Sequence, residues 1–121
     1  MASHLRVTVS QADDGATVIR CEGEIDYHTV EELREAIAWS MTADLRLLRL
    51  DLSAVEFFES SGLSCLLAAS ADCRERGVPV ELISSREVRR LLDLSGLGDA
   101  TALDLSPATD THTLLRRRLS A

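Results

Sequence analysis

Two adjacent serines in the middle of the chain, Ser60 and Ser61, carry the residue types and spacing best suited to chemistry. They follow Glu59 and precede Gly62 and Leu63. A serine hydroxyl can attack an acyl group, or it can accept a hydrogen bond from an open backbone N–H. The first role is not supported by the surrounding residues. Phe58-Glu59-Ser60-Ser61-Gly62 lacks the glycine that the G-x-S-x-G elbow places ahead of its serine, and nothing positions His28 or His112 as a base for Ser60. The second role fits, because helix starts favour serine, and glycine lets another backbone come close. Capping is the plainest use of the pair.

Flanking segments explain why a turn is expected here. From Leu45 to Leu52, leucines alternate with Arg46, Arg49 and Asp51, a period-two strand apolar enough for the inside of a sheet. Leu63, Leu66, Leu67 and Ser70 recur at helical spacing, and that helix is expected to stop at Gly77. The serines therefore stand where a central strand passes into a helix.

Composition narrows the function. The 121 residues carry a formal charge of −7 and 3% aromatics. That balance disfavours nucleic acid, which needs a basic face and stacking surfaces. No apolar run approaches a membrane span, and the N-terminus lacks a signal pattern, so a cytoplasmic chain with no membrane partner is expected. There is no phosphate-binding glycine loop of either common type. Neither enzymatic activity nor a cofactor is expected. Cys21, Cys65 and Cys73 form no C-x-x-C pair, and the histidines His4, His28 and His112 have no metal-ligand spacing. Buried structural thiols are the expectation.

The remaining elements follow in order. Leu5, Val7 and Val9 alternate with polar residues, Asp13-Asp14-Gly15 marks a turn, and Ala16 to Glu22 returns as the second strand of a hairpin. Gly23 to His28 reads as a connection. Thr29 with Glu32 reads as a capping box, followed by the stripe Val30, Leu33, Ile37 and Met41. Trp39 falls off that stripe and is expected at its rim. Val78 to Ile83 reads as a strand, Ser84 to Glu87 as a second capping box, and Val88, Leu91 and Leu92 as a helix ending at Gly96. Ala102, Leu103 and Leu105 read as a last strand, and Ser106-Pro107 as the start of a final helix with Arg116, Arg117 and Arg118 near its end. The reading is one α/β domain over 1–121, ordered β-β-α-β-α-β-α-β-α. Its mixed sheet, an opening hairpin plus parallel strands, is covered by about four α-helices.

Four stretches in register resemble one family. Gly23-Glu24-Ile25-Asp26 with Thr29, Asp51 to Phe57, Glu59-Ser60-Ser61-Gly62-Leu63, and Leu92 to Leu97 are similar to segments of the STAS domain. Within that family they resemble the single-domain bacterial anti-sigma factor antagonists. The resemblance implies that Ser60 is the phosphorylated serine, with Asp26, Thr29, Glu59, Ser61 and Gly62 in the partner-binding region. It implies as partners an anti-sigma factor, a serine kinase of the histidine-kinase-like ATPase fold, and a serine phosphatase. The unphosphorylated form would bind the anti-sigma factor and release a sigma factor. Glu59 stands where the family usually has Asp, and Phe58 is bulkier than the usual residue. The alternative is a constitutive STAS scaffold, such as a lipid-transport ATPase component or part of a stress-signalling complex. A phosphate on Ser60 would add about −1.5 to −2 charges beside Glu56 and Glu59, changing the partner contact rather than the fold.

Overall fold

The computed structural model describes residues 4–96 and the backbone of residues 105–108. Its elements are β1 (Leu5–Gln11), β2 (Thr17–Ile25), α1 (Val30–Ser40), β3 (Leu48–Phe58), α2 (Ser60–Glu75), β4 (Val80–Ser84), α3 (Arg86–Leu94) and β5 (Leu105–Ala108). They form a five-stranded sheet in the order β1-β2-β3-β4-β5, with β1 antiparallel to β2 and the remaining pairs parallel. The expected mixed sheet and strand–helix alternation are therefore present. Because each crossover steps the same way across the sheet, right-handed connections place the three helices on one face.

The sheet's two faces have different jobs. Ile19, Leu48, Leu50, Leu52 and Leu82 are fully buried, against Leu33 of α1, Leu66 of α2 and Val88 of α3 in one apolar cluster. The opposite face carries charges in pairs. Arg20 donates to Asp51 at 2.9 Å, and Arg49 reaches Glu81 at 2.8 Å and Asp14 at 2.6 Å. Glu81 is fully buried, so the Arg49 guanidinium beside it is what makes that burial tolerable; removing Arg49 alone would strand the carboxylate.

Apolar positions on β3 run 48, 50, 52 at period two, then 55 and 58 at intervals of three. The pairing with β2 shifts register twice over this stretch: Arg20 and Glu22 face Asp51 and Ala54, and Gly23 and Glu24 face Val55 and Phe57. Each shift adds one residue to β3, a bulge that returns Val55 and Phe58 to the helix-bearing face. Both are buried. Hence β3 extends six residues past the expected end at Leu52, and β2 absorbs Gly23, Glu24 and Ile25, which had read as a connection.

Several helix boundaries differ from expectation. The α3 cap is Ser85, whose hydroxyl accepts from the Val88 N–H at 3.3 Å, not Ser84, which ends β4. The expected strand at Val78 starts at Val80. α2 ends as expected: Gly77 and Val78 donate back to Arg74 and Cys73 at 3.1 and 2.8 Å, the paired bonds of a Schellman stop. Leu67 is 38% exposed and so stands off the buried stripe. Ser106 and Pro107 lie inside β5 rather than opening a helix. Pro107 has no N–H for a ladder, and an edge strand is where that is tolerated. Ala102, Leu103 and the segment carrying Arg116 to Arg118 lie outside the described residues.

The three cysteines are free and buried. Burial pushes the Cys21 thiol up to about 12, with Cys65 nearby adding to it, and the Cys73 thiol up to about 11; Cys65 is raised as well, again by burial first. At pH 8 the Cys21 thiolate fraction is then about one in ten thousand, and the thiolate is the reactive form. Ellman's reagent at pH 8 is expected to leave all three thiols intact in the folded chain and to titrate them on unfolding in urea. Rapid labelling of the native chain would contradict this burial.

Candidate functional site

The C-terminal ends of the parallel strands β2 and β3 lie side by side, which is where open α/β sheets place their binding surfaces. β2 delivers the turn 26–29 and β3 delivers Glu59 and Ser60. Two bonds join these loops. The Glu59 N–H donates to the Ile25 carbonyl at 3.2 Å, and the Tyr27 N–H donates to Glu59 Oε1 at 2.9 Å. Residues 32 apart in sequence are thereby held together. The Asp26–Thr29 turn is thereby held against the serine turn, and the agent is Glu59, whose side chain reaches the opposite backbone.

Asp26 organises its own turn. Its Oδ1 accepts from the His28 N–H at 2.8 Å and from the Thr29 N–H at 2.9 Å, and its carbonyl accepts from the Val30 N–H at 2.9 Å. Thr29 does not cap α1 with its side chain, contrary to the capping-box reading. Its hydroxyl instead donates to the Glu24 carbonyl at 2.8 Å and accepts from the Asp26 N–H at 2.9 Å. The Asp26 carboxylate, three residues before the cap, takes the Thr29 N–H that the motif had assigned to the Glu32 side chain. The Thr29 backbone bond, followed by His28, holds the Asp26 carboxyl below the usual carboxylate range.

The sign of the resulting pH dependence follows. A depressed value in the folded state means the ionised form is preferred there. Asp26 then stabilises the turn above its unfolded pKa, and the contribution disappears as pH falls through the lower folded value. A carboxyl-detected NMR titration is expected to place the Asp26 midpoint below about 3.9, the ordinary value for aspartate. A midpoint above it would mean that the turn is not held this way.

The two serines face differently. Glu59 takes the cap position of α2, in extended conformation and without a side-chain cap bond, so Ser60 and Ser61 are the first two helical residues rather than capping residues. Ser60 is exposed. Ser61 Oγ is buried and has no hydrogen-bond partner among the described residues. Only Ser60 offers its hydroxyl to an approaching macromolecule. Gly62 is buried because Phe58 lies against it; a Cβ there would meet Phe58 Cε1 at 2.5 Å and Ile25 Cγ2 at 2.9 Å. The bulkier Phe58 thus lies beneath the serine turn and fixes its height over the core.

Two flanking residues were not anticipated. Tyr27 is 76% exposed and Phe57 47% exposed, on the two joined strands' exits. The chain holds only four aromatics, and these two stand open at neighbouring strand exits instead of filling the core. Their position next to the serine and aspartate motifs was the available signal. Among the described residues no group of His, Cys, Asp and Glu could hold a metal, and no helix is long and apolar enough to cross a membrane.

A family model described as the STAS domain matches residues 8–111. The chain belongs to the STAS domain family. Among similar proteins of Mycobacterium tuberculosis, the anti-sigma-F factor antagonist RsfB is 39% identical over 112 residues, covering 91% of this chain and 90% of that one. The anti-sigma-F factor antagonist RsfA is 32% identical over 115 residues, covering 92% and 87%. A crystal structure of an anti-sigma factor antagonist from Mycobacterium paratuberculosis superposes with a TM-score of 0.70 at 30% identity, covering 88% of each chain. Proteins of this STAS group are regulatory binding proteins rather than enzymes.

Proposed function

We propose that this chain is an anti-sigma factor antagonist switched by phosphorylation of Ser60. In its unphosphorylated form it binds a kinase-type anti-sigma factor, which frees a sigma factor. Phosphorylation of Ser60 by that anti-sigma factor ends the binding, and a serine phosphatase restores it. The observation that carries this reading is the exposed Ser60 hydroxyl at the start of α2, tied through Glu59 to the turn of Asp26 and Tyr27. Its STAS relatives named as antagonists support the partner class.

The energetics favour a switch at the contact. The open N–H groups of a helix start donate to phosphate oxygens, so a phosphate is held there without rearrangement. The same phosphate adds negative charge beside Glu56 and Glu59 and bulk at the exposed start of α2, where a partner would seat. Incubation with the anti-sigma factor and ATP, followed by peptide mass spectrometry, is expected to place phosphate on Ser60. Phosphate on another residue, or none while a complex forms, would sink the proposal.

A further inference from the structure

Among the described residues the sheet has two edges, and they are protected differently. β5 has four residues, one of them Pro107. β1 has seven, without proline, and it pairs with β2 in unbroken register from Leu5 to Gln11. Arg6 is its one charged residue. Short strands, prolines, bulges and charges are the usual means of keeping a sheet edge from pairing, and β1 has scarcely any of them.

The ladder shows which groups face outward. The Glu24 N–H donates to the His4 carbonyl at 2.8 Å and the Ala12 N–H donates to the Ala16 carbonyl at 2.9 Å, so even-numbered residues of β1 share bonds with β2. Val7 and Val9 therefore point their N–H and C=O groups away from the sheet. On the helix-bearing side of this edge, Val9 is 42% exposed and Trp39, at the end of α1, is 74% exposed; the two line one hollow of about 420 Å³. Trp39 is the single tryptophan of the chain, and the antagonist site does not involve it.

We propose that this edge is a self-association surface, on which a second copy of the chain pairs antiparallel to β1 about a two-fold axis at Thr8. The strand is complementary to itself in that register. Arg6 meets Ser10 of the second copy, Val7 meets Val9, and Thr8 meets Thr8, so the pairing runs from Arg6 to Ser10 and no like charges oppose. Val7 and Val9 form the pairs that exchange backbone bonds, as their outward orientation requires. The second copy's Val7 enters at the hollow between Val9 and Trp39. The outcome is a continuous sheet across two chains, and it does not depend on phosphorylation of Ser60.

Sedimentation of the full chain from micromolar to millimolar concentration tests this. The mass is expected to rise from 13.2 kDa toward twice that value, with Trp39 emission shifting to shorter wavelength as it is covered. Thr8→Asp is expected to weaken association at least tenfold by setting two carboxylates face to face. It keeps the monomer folded, because position 8 lies across from Arg20 within the chain. Mixing Thr8→Asp with Thr8→Lys is expected to restore the dimer. A wild-type chain that stays monomeric throughout would overturn the proposal and leave the edge to an extended segment of another protein. A dimer as tight in Thr8→Asp as in wild type would overturn it in favour of another surface.

Discussion

Ser60→Asp is expected to weaken binding to the anti-sigma factor tenfold or more, about 1.4 kcal/mol, while leaving folding stability unchanged within about 0.5 kcal/mol. The two halves of that expectation have separate causes. Ser60 is exposed at the first position of a helix, where a carboxylate is favoured by the open N–H groups and the dipole. Repulsion from Glu59 offsets part of that gain, so the net effect on folding is small. At the proposed partner contact the added charge joins that of Glu56 and Glu59, and repulsion there is the expected cause of the loss. Calorimetric titration against the anti-sigma factor, with urea unfolding of both forms, separates the effects. Equal affinity for wild type and Ser60→Asp would make the chain a constitutive scaffold and Ser60 merely the first residue of a helix.

The second large effect is expected at Gly23. Its φ of +114° lies in a region that other residues rarely occupy, and a Cβ built there would sit on the His4 carbonyl oxygen. That same carbonyl accepts the Glu24 N–H. Gly23→Ala therefore combines backbone strain with an overpacking clash against main chain that cannot move aside. A loss of roughly 2 to 5 kcal/mol is expected from the two together. Gly15→Ala is the control. Gly15 also has positive φ, +92°, but nothing lies within 4 Å of the added carbon, so only the strain remains. Chemical denaturation of both variants checks the difference. If the two lose equal stability, the close approach of β1 to β2 at Gly23 is not what glycine serves there.

How much of this was legible in the sequence depended on whether local periodicity and tertiary pairing agreed. They agreed for the hairpin, for the stripe Val30, Leu33 and Ile37, and for the end of α2 at Gly77. They disagreed at the exits of β2 and β3, next to the site. Gly23, Glu24 and Asp26 are residues of turns, yet the first two are held extended by pairing with Val55 and Phe57. On β3 the apolar spacing changes from two to three, which ended the period-two reading at Leu52 although the strand continues to Phe58. Ser60 and Asp26 were identifiable because they sit in recognisable local motifs. The bond from Tyr27 to Glu59 was not, because it joins residues remote in the chain through a side chain whose length alone was visible. The capping box at Thr29 failed for a related reason: a threonine and a glutamate three apart satisfy the pattern, but the Thr29 hydroxyl bonds Glu24 and Asp26 main chain, and the Asp26 carboxylate takes the Thr29 N–H.

Strand order and chain order are the same in this sheet. A chain leaving the ribosome can therefore assemble it in the sequence of its synthesis. The hairpin emerges first, and each later strand finds its neighbour already in place. No earlier strand must be prised apart to admit a later one, and no early partner has to wait unpaired for the end of translation. The joined loops of the site are complete once α2 has emerged, ahead of β4 and β5.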